Sequence, residues 1–356
     1  MAYGILSRRF VATFFGTLAI SSVVIAIYFA FPQLFFFRAW EYFSLFVYEG
    51  YGARSTTFRE SGDSARQYLV PRYASENRVS VNGLGNRVAC FENRPDVRPR
   101  VLLIGDSQLF GSGTGDDGVF SSKLCSVFDA AIYNGARRHG LELLGHPDYR
   151  FDAILFTQTE RALARGGCEW WTGGLERNLA AGRSRESFLL PDERTRRPFA
   201  AQFEVGVSHL FDVLASKLRL LEAGRWRAPE RHLDDTAPHR VTSTQSVANS
   251  LQCASRVEQF FAQRGIAVGF LVFPAHQTIY ADELGVTLDK PTSLFIDELT
   301  SAMAAAGLRT VNSRKCLLDA RKRGSVFHPH DSHLNELGYH ALAECVTGSS
   351  LARLFH

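Results

Sequence analysis

Short uninterrupted apolar runs recur along the chain and predict buried strands. They occur in VLLIG (101–105), AAIYN (130–134), DAILFTQ (152–158) and IAVGFLVFP (266–274), and LRTVNS (308–313) is expected to be a short fifth strand. Apolar residues at helical spacing predict helices at 257–265, 291–307 and 335–346. Short apolar strands that alternate with helices are typical of a parallel sheet covered on both faces, so the pattern predicts an α/β domain.

The longest apolar stretch lies near the N-terminus. Residues 10–37, FVATFFGTLAISSVVIAIYFAFPQLFFF, contain no charged side chain. A helix of about 20 apolar residues spans a bilayer core, so this stretch predicts a transmembrane anchor, with a buried core helix as the alternative. Arg8 and Arg9 precede it, which places the N-terminal tail in the cytoplasm and the rest of the chain on the extracytoplasmic side of the inner membrane.

The same patterns divide the chain into segments. They are a cytoplasmic tail (1–9), a transmembrane anchor (10–37), a juxtamembrane segment (38–98), a catalytic domain (99–346) and a C-terminal tail (347–356). The Arg-rich residues 165–250 interrupt the alternation of strands and helices and are expected to form an insert with one amphipathic helix at 203–221. Aromatic residues at 35–43 predict a belt at the membrane interface.

Composition narrows the possible functions. Hydrophobic residues make up 46% of the chain and charged residues 21%, as expected for a folded globular protein. The net charge of +4 is small and no nucleic-acid-binding motif is present, so no nucleic-acid partner is predicted. Six cysteines permit disulfides in an oxidising compartment, and buried free thiols are the alternative: Cys90, Cys125, Cys168, Cys253, Cys316 and Cys345.

The candidate chemistry begins at Gly-Asp-Ser, directly after the first predicted strand. In parallel sheets functional residues gather at the carboxyl ends of strands, which is where Ser107 stands. A serine nucleophile needs a base and a group that orients the base. Asp331 and His333 lie two residues apart, so an extended loop would put both side chains on one side, with Asp331 orienting His333. Asp106 is expected to hold the serine loop by hydrogen bonds.

Other interpretations of these residues remain open. Ser107 can be a turn residue only, and a metal site is a further possibility for four residues of the C-terminal block, His328, His330, Asp331 and His333. The glycines after Ser107 suggest a phosphate loop, but the lysine that such a loop needs is absent. We therefore predict neither a metal nor a cofactor.

The two blocks together resemble the SGNH (GDSL-type) hydrolase superfamily. GDSQ follows an apolar strand, and D-x-H-L-N-x-x-G stands near the C-terminus, so the resemblance covers roughly residues 99–346. It implies a three-layer α/β/α sandwich with a parallel sheet and a Ser-His-Asp triad that cleaves or transfers acyl esters. The D-x-H spacing, shorter than the usual D-x-x-H, is similar to that of SGNH-like proteins that acetylate alginate in the periplasm, although in those proteins this block precedes the serine block.

The resemblance also implies an oxyanion hole. Its expected donors are the backbone N–H groups of Ser107 and Gly140, with Gly135 as the second choice for the glycine. An asparagine usually follows the third strand, but FTQTERAL (156–163) has none. Glu160 falls near that position, where a carboxylate would repel an oxyanion, and Gln158 or Arg161 is expected to donate instead.

These observations predict a membrane-anchored, extracytoplasmic serine esterase or O-acyltransferase. The expected substrate is an acylated carbohydrate or polysaccharide of the cell envelope or of an exported polymer. The anchor makes the membrane a partner, and a multi-pass protein is a candidate acyl donor. The alternative is a catalytically inactive SGNH-like subunit that serves a membrane-associated assembly.

Overall fold

The computed structural model describes the parts of the chain that carry the sheet and its helices. The described residues are 2–30, 56–60, 77–82, 86–136, 140–146, 149–164, 200, 204, 244–280, 295–328 and 332–356. The predicted aromatic belt at 35–43 lies outside them, and so does the predicted helix at 203–221 apart from residue 204. The chain divides into two compact units: Met1–Ala53 with Ser61–Ala74 and Pro191–Ala228, and Arg54–Glu60 with Ser75–Leu190 and Pro229–His356. We call the second the sheet unit.

Within the described residues, the predicted strands and helices are present in the predicted order, together with further elements that the sequence patterns did not indicate. The helices are α1 (Ala2–Ala30), α2 (Ser107–Phe110), α3 (Phe120–Val127), α4 (Glu160–Ala164), α5 (Thr244–Ala262), α6 (His276–Tyr280), α7 (Phe295–Ala305), α8 (Ser313–Arg321) and α9 (Glu336–Thr347). The strands are β1 (Thr56–Glu60), β2 (Asn77–Val81), β3 (Arg100–Ile104), β4 (Ala131–Asn134), β5 (Ala153–Thr159), β6 (Ala267–Phe273) and β7 (Arg309–Thr310). Thus α5 begins at Thr244, well before the predicted start at residue 257.

Helix α1 is long and apolar enough to cross a membrane. Its residues Phe10–Ile27 have a mean hydropathy of 2.2, and none of them is buried by other described parts of the protein. The predicted apolar helix is therefore present.

Within the described residues, β3 to β7 form one parallel sheet in the order β4-β3-β5-β6-β7. The chain leaves β3 towards β4 and then crosses to β5 on the other side of β3. The direction of strand order therefore reverses between β3 and β5, and such a switch point is where open parallel sheets bind their ligands. The serine block follows β3, so the topology places it at this point.

Helices cover both faces of the sheet, which confirms the predicted three-layer α/β/α fold. One face packs on α5 and α7 through buried residues of both layers: Leu102, Ile154, Phe156, Val268, Phe270, Val257, Phe261, Phe295 and Leu299. On the other face, Phe120 of α3 meets Phe273 of β6 edge to face, with ring centroids 5.8 Å apart. Strands β3 to β6 contain apolar runs that are buried on both faces, which is why they stand out in the sequence.

Segments on either side of the predicted catalytic domain also pack on the sheet unit. Leu351 and Leu354, in the segment expected as a C-terminal tail, are buried against Gly269 of β6. Disulfides join Cys90 to Cys125 and Cys316 to Cys345, and Cys253 is also disulfide-bonded. The bond from Cys90 ties part of the predicted juxtamembrane segment to α3.

Candidate active site

The serine turn connects the end of β3 to α2. Ser107 is the first residue of α2 and is half-buried, and Asp106 caps the helix. One carboxylate oxygen of Asp106 accepts the N–H of Gln108 at 2.9 Å, and the other accepts the N–H of Thr159 in β5 at 3.3 Å. Asp106 thus fixes the serine turn across the switch point through hydrogen bonds, as predicted.

Gly105 lets β3 and β5 approach closely just before the serine. A Cβ built on Gly105 would collide with Thr157 Oγ1 and stand 3.0 Å from Leu109 Cβ. Thr157 donates from that hydroxyl to the carbonyl oxygen of Ile104 at 3.1 Å. The first residue of Gly-Asp-Ser is therefore a packing requirement, since any side chain would push the serine turn away from β5.

A buried arginine holds the glycine-rich segment that follows Ser107. Arg87 is 1% exposed and donates to the carbonyl oxygens of Phe110 and Gly111 at 3.3 Å each and of Thr114 at 2.7 Å. It also lies 3.1 Å from a carboxylate oxygen of Asp116. The sequence analysis did not single out Arg87, because no periodicity or motif marks a residue that acts through backbone carbonyls.

His333 lies before α9 in a short paired segment, residues 327–328 and 332–334, which we call the histidine hairpin. Phe327 and Leu334 pair as an isolated antiparallel bridge, and the N–H of His328 donates to the carbonyl oxygen of His333 at 3.0 Å. His333 is 7% exposed, so its ring is held inside the protein. Asn335 caps α9 by accepting the N–H of Gly338 at 3.0 Å.

Asp331 and His330 lie outside the described residues. The predicted role of Asp331 as the orienting acid therefore stays a prediction, and so does its place in the alternative metal site. His328 Nε2 is 3.1 Å from the hydroxyl oxygen of Thr114.

Direct hydrogen bonds join the serine turn to the histidine hairpin. The side-chain amide of Gln108 donates to the carbonyl oxygen of Ser332 at 2.5 Å and accepts the N–H of Leu334 at 3.1 Å. The Thr114 hydroxyl donates to the carbonyl oxygen of Leu334 at 3.3 Å. Tyr339 donates from its hydroxyl to the carbonyl oxygen of Gln108 at 2.7 Å. The fold thus brings together two blocks that stand more than 200 residues apart in the sequence.

The two glycines considered for the oxyanion hole, Gly135 and Gly140, differ in the contacts that their backbone makes. The N–H of Gly135 donates to the carbonyl oxygen of Leu103 at 2.9 Å, as part of the pairing between β3 and β4. Gly140 packs against the same place: a Cβ built on it would stand 2.6 Å from the carbonyl oxygen of Gly135 and 3.4 Å from Ile104 Cγ2. Gly140 therefore lies beside the end of β3, while the N–H of Gly135 is occupied.

The residues at the expected asparagine position follow β5. Gln158 is buried near the end of β5, and strand alternation puts it on the face shared by Ile154 and Phe156. Thr157 points to the opposite face, where it approaches the serine turn. Arg161 is exposed on α4. Gln158 and Arg161 thus stay predicted third donors.

Glu160 has a structural role that the sequence did not reveal. It is 2% exposed, and one of its carboxylate oxygens accepts the N–H of Ala275 at 2.9 Å and the hydroxyl of Thr278 at 2.7 Å. Burial raises the pKa of Glu160 to about 7, against the lowering effect of these hydrogen bonds and of Arg314. Glu160 therefore joins the end of β5 to the turn after β6.

The comparison with known protein families agrees with this geometry. The family described as "SGNH hydrolase-like domain, acetyltransferase AlgX" matches residues 233–353. The matched range contains β6, β7 and the histidine hairpin, and Ser107 precedes it. No curated protein matches the chain. Over residues 233–353 the chain is therefore similar to the SGNH hydrolase-like domain of the acetyltransferase AlgX, and its parallel sheet with helices fits that likeness.

Proposed function

We propose that the chain is a membrane-anchored, extracytoplasmic serine acyl-ester enzyme of the Ser-His-Asp type. Its substrate in this proposal is an O-acetylated cell-envelope or exported polysaccharide, on which it acts as O-acetyltransferase or O-acetylesterase. One observation carries the proposal: the residue next to Ser107 is hydrogen-bonded to both residues that flank His333. Acyl transfer needs a serine and a histidine within reach of each other, and hydrogen bonds from the neighbour of Ser107 to both neighbours of His333 support that arrangement.

The proposed reaction has two halves. His333 takes the proton of the Ser107 hydroxyl as the serine oxygen bonds to the acyl carbonyl carbon, and Asp331 orients the imidazole. The tetrahedral intermediate breaks its bond to the leaving oxygen or sulfur of the acyl donor, which in the esterase reaction is a sugar oxygen. The leaving group receives the proton from His333, and an acyl-serine remains. An acceptor hydroxyl then attacks the acyl-serine while His333 removes its proton, and that proton returns to the serine oxygen. Water as acceptor gives hydrolysis, and a sugar hydroxyl gives transfer.

The oxyanion would be bound by backbone N–H groups of Ser107 and Gly140. The N–H of the first residue of a helix has no acceptor within the helix, and Ser107 has this position in α2. The position of Gly140 beside the end of β3 supports it over Gly135. Gln158 or Arg161 would be the third donor. The carboxylate of Glu160 accepts hydrogen bonds from Ala275 and Thr278, so it faces these donors of the protein.

The family comparison supports the acetyl group, since the matched description names an acetyltransferase. The polysaccharide rests on the D-x-H spacing, which is similar to that of proteins that acetylate alginate. The proposed location rests on the apolar helix α1, which would anchor the chain in the inner membrane. Arg8 and Arg9 would stay in the cytoplasm, so the sheet unit would lie on the extracytoplasmic side. Disulfides in the sheet unit fit an oxidising compartment. In that location a multi-pass membrane protein is a candidate acyl donor.

The test is hydrolysis of p-nitrophenyl acetate by the full chain in detergent micelles. Ser107→Ala is expected to lower kcat by at least about 10⁴-fold, because it removes the nucleophile. The control for folding is an unchanged near-UV circular dichroism spectrum. Equal turnover by both proteins, or none by the parent, would refute the enzymatic proposal and favour the inactive subunit. If turnover depends on Ser107, acyl transfer to an added polysaccharide separates a transferase from an esterase.

A further inference from the structure

Gln108 has all of its polar groups engaged between the serine turn and the histidine hairpin. It is 5% exposed. Its N–H is held by Asp106, and its carbonyl oxygen accepts the hydroxyl of Tyr339 at 2.7 Å. Its side-chain amide donates to Ser332 and accepts from Leu334. The backbone and the side chain of Gln108 are therefore both fixed, so Gln108 sets the position of the histidine hairpin relative to the serine turn.

We infer that Gln108 is a positioning residue that places His333 relative to Ser107. The inference rests on the proposed function, since it assigns His333 the role of base. It adds a residue that touches neither substrate nor reacting atoms and acts through the backbone on both sides of the base.

A glutamine amide carries a donor and an acceptor side by side, and here they bind the carbonyl oxygen of residue 332 and the N–H of residue 334. Two hydrogen bonds on either side of one residue fix both the position of its Cα and the direction in which its side chain leaves the backbone. His333 is that residue.

The identity of residue 108 matters because few side chains can replace this amide. Methionine has a similar length but cannot make either strong hydrogen bond. Glutamate can accept the N–H of Leu334, but its second oxygen would face the carbonyl oxygen of Ser332. Asparagine is one methylene shorter and cannot reach both groups. The structure therefore predicts loss of function for all three.

The first experiment measures kcat and KM of the full chain in detergent micelles with p-nitrophenyl acetate. Gln108→Met is expected to lower kcat by about 100-fold, the effect of displacing a catalytic group by about 1 Å, while KM changes less than about threefold. The matched control is Gln277→Met, a glutamine of α6 that is 9% exposed and whose amide nitrogen makes no hydrogen bond to the described residues. It is expected to keep the parent kcat. A Gln108→Met protein with the parent kcat would overturn the inference.

The second experiment does not depend on turnover. Exchange of the C2 hydrogen of each histidine ring, followed by mass spectrometry of the same proteins, reports the exposure of His333. We expect several-fold faster exchange at His333 in Gln108→Met, with no change at His356 in the same protein and none at His333 in Gln277→Met. Unchanged exchange at His333 would overturn the inference even if the parent proved inactive.

Two outcomes then separate the two proposals. A parent without Ser107-dependent turnover whose His333 still responds to Gln108→Met contradicts the proposed function and keeps the positioning role of Gln108. An active parent that tolerates Gln108→Met contradicts the inference alone. If Gln108→Met does not fold, Gln108→Glu serves in its place, with the same expected fall in kcat at unchanged KM.

Discussion

Replacing Glu160 by glutamine removes a buried carboxyl group from the end of β5. The pKa of Glu160 is raised from its ordinary value of 4.5 to about 7, mainly because burial disfavours the carboxylate. Between these two values the folded protein holds a proton that the unfolded chain releases. The stabilising contribution of Glu160 is therefore complete below about pH 4.5 and falls as the pH rises, until it is lost above about pH 7.

The size of the effect follows from the two pKa values. One unit of pKa corresponds to about 1.4 kcal/mol, so their difference corresponds to a loss of about 3 kcal/mol between pH 4.5 and pH 7. Glutamine has nearly the same shape and no charge to titrate, and its side-chain oxygen can accept from Ala275 and Thr278. The Glu160→Gln protein should therefore lack this part of the pH dependence.

The assay is pulse proteolysis of the full chain in detergent with increasing urea, at pH values from 4.5 to 7.5. The free energy of unfolding of the parent should fall by about 3 kcal/mol relative to Glu160→Gln across this range, and the difference should stay constant above pH 7. Comparing the two proteins at each pH cancels the other titrating groups. Parallel pH profiles for the two proteins would refute the reasoning.

Two further substitutions test the supports of the serine turn. Arg87→Met should lower the free energy of unfolding by about 3–5 kcal/mol, because it leaves three carbonyl oxygens and the carboxylate of Asp116 without this partner. Urea unfolding measures this free energy, and a loss below about 1 kcal/mol would contradict the prediction. Gly105→Ala should lower the free energy of unfolding by about 1–3 kcal/mol, because the added methyl group overpacks against Thr157. The double variant Gly105→Ala/Thr157→Ala should regain part of this loss, and no regain would mean that the clash is not the cause.

The sequence by itself determined the strands of the parallel sheet, the fold class and the place of Ser107, the proposed nucleophile. Strands β3 to β6 are buried between two layers of helices, so each contains an apolar run that needs no knowledge of its neighbours to be recognised. The end of β3 and the cap at Asp106 are likewise local, because they depend on residues within a few positions of one another. The apolar helix α1 is visible for the same reason.

Only the tertiary structure decided which groups meet. Nothing near Gln108 in the sequence indicates that its amide binds the backbone beside His333, and nothing near Glu160 indicates its partners after β6. The same holds for the pairing of Cys90 with Cys125 and of Cys316 with Cys345. These contacts depend on strand order, since parallel strands bring their carboxyl ends to one edge however far apart they lie in the chain. Local patterns can place a residue at that edge, but only the packed sheet sets its partner.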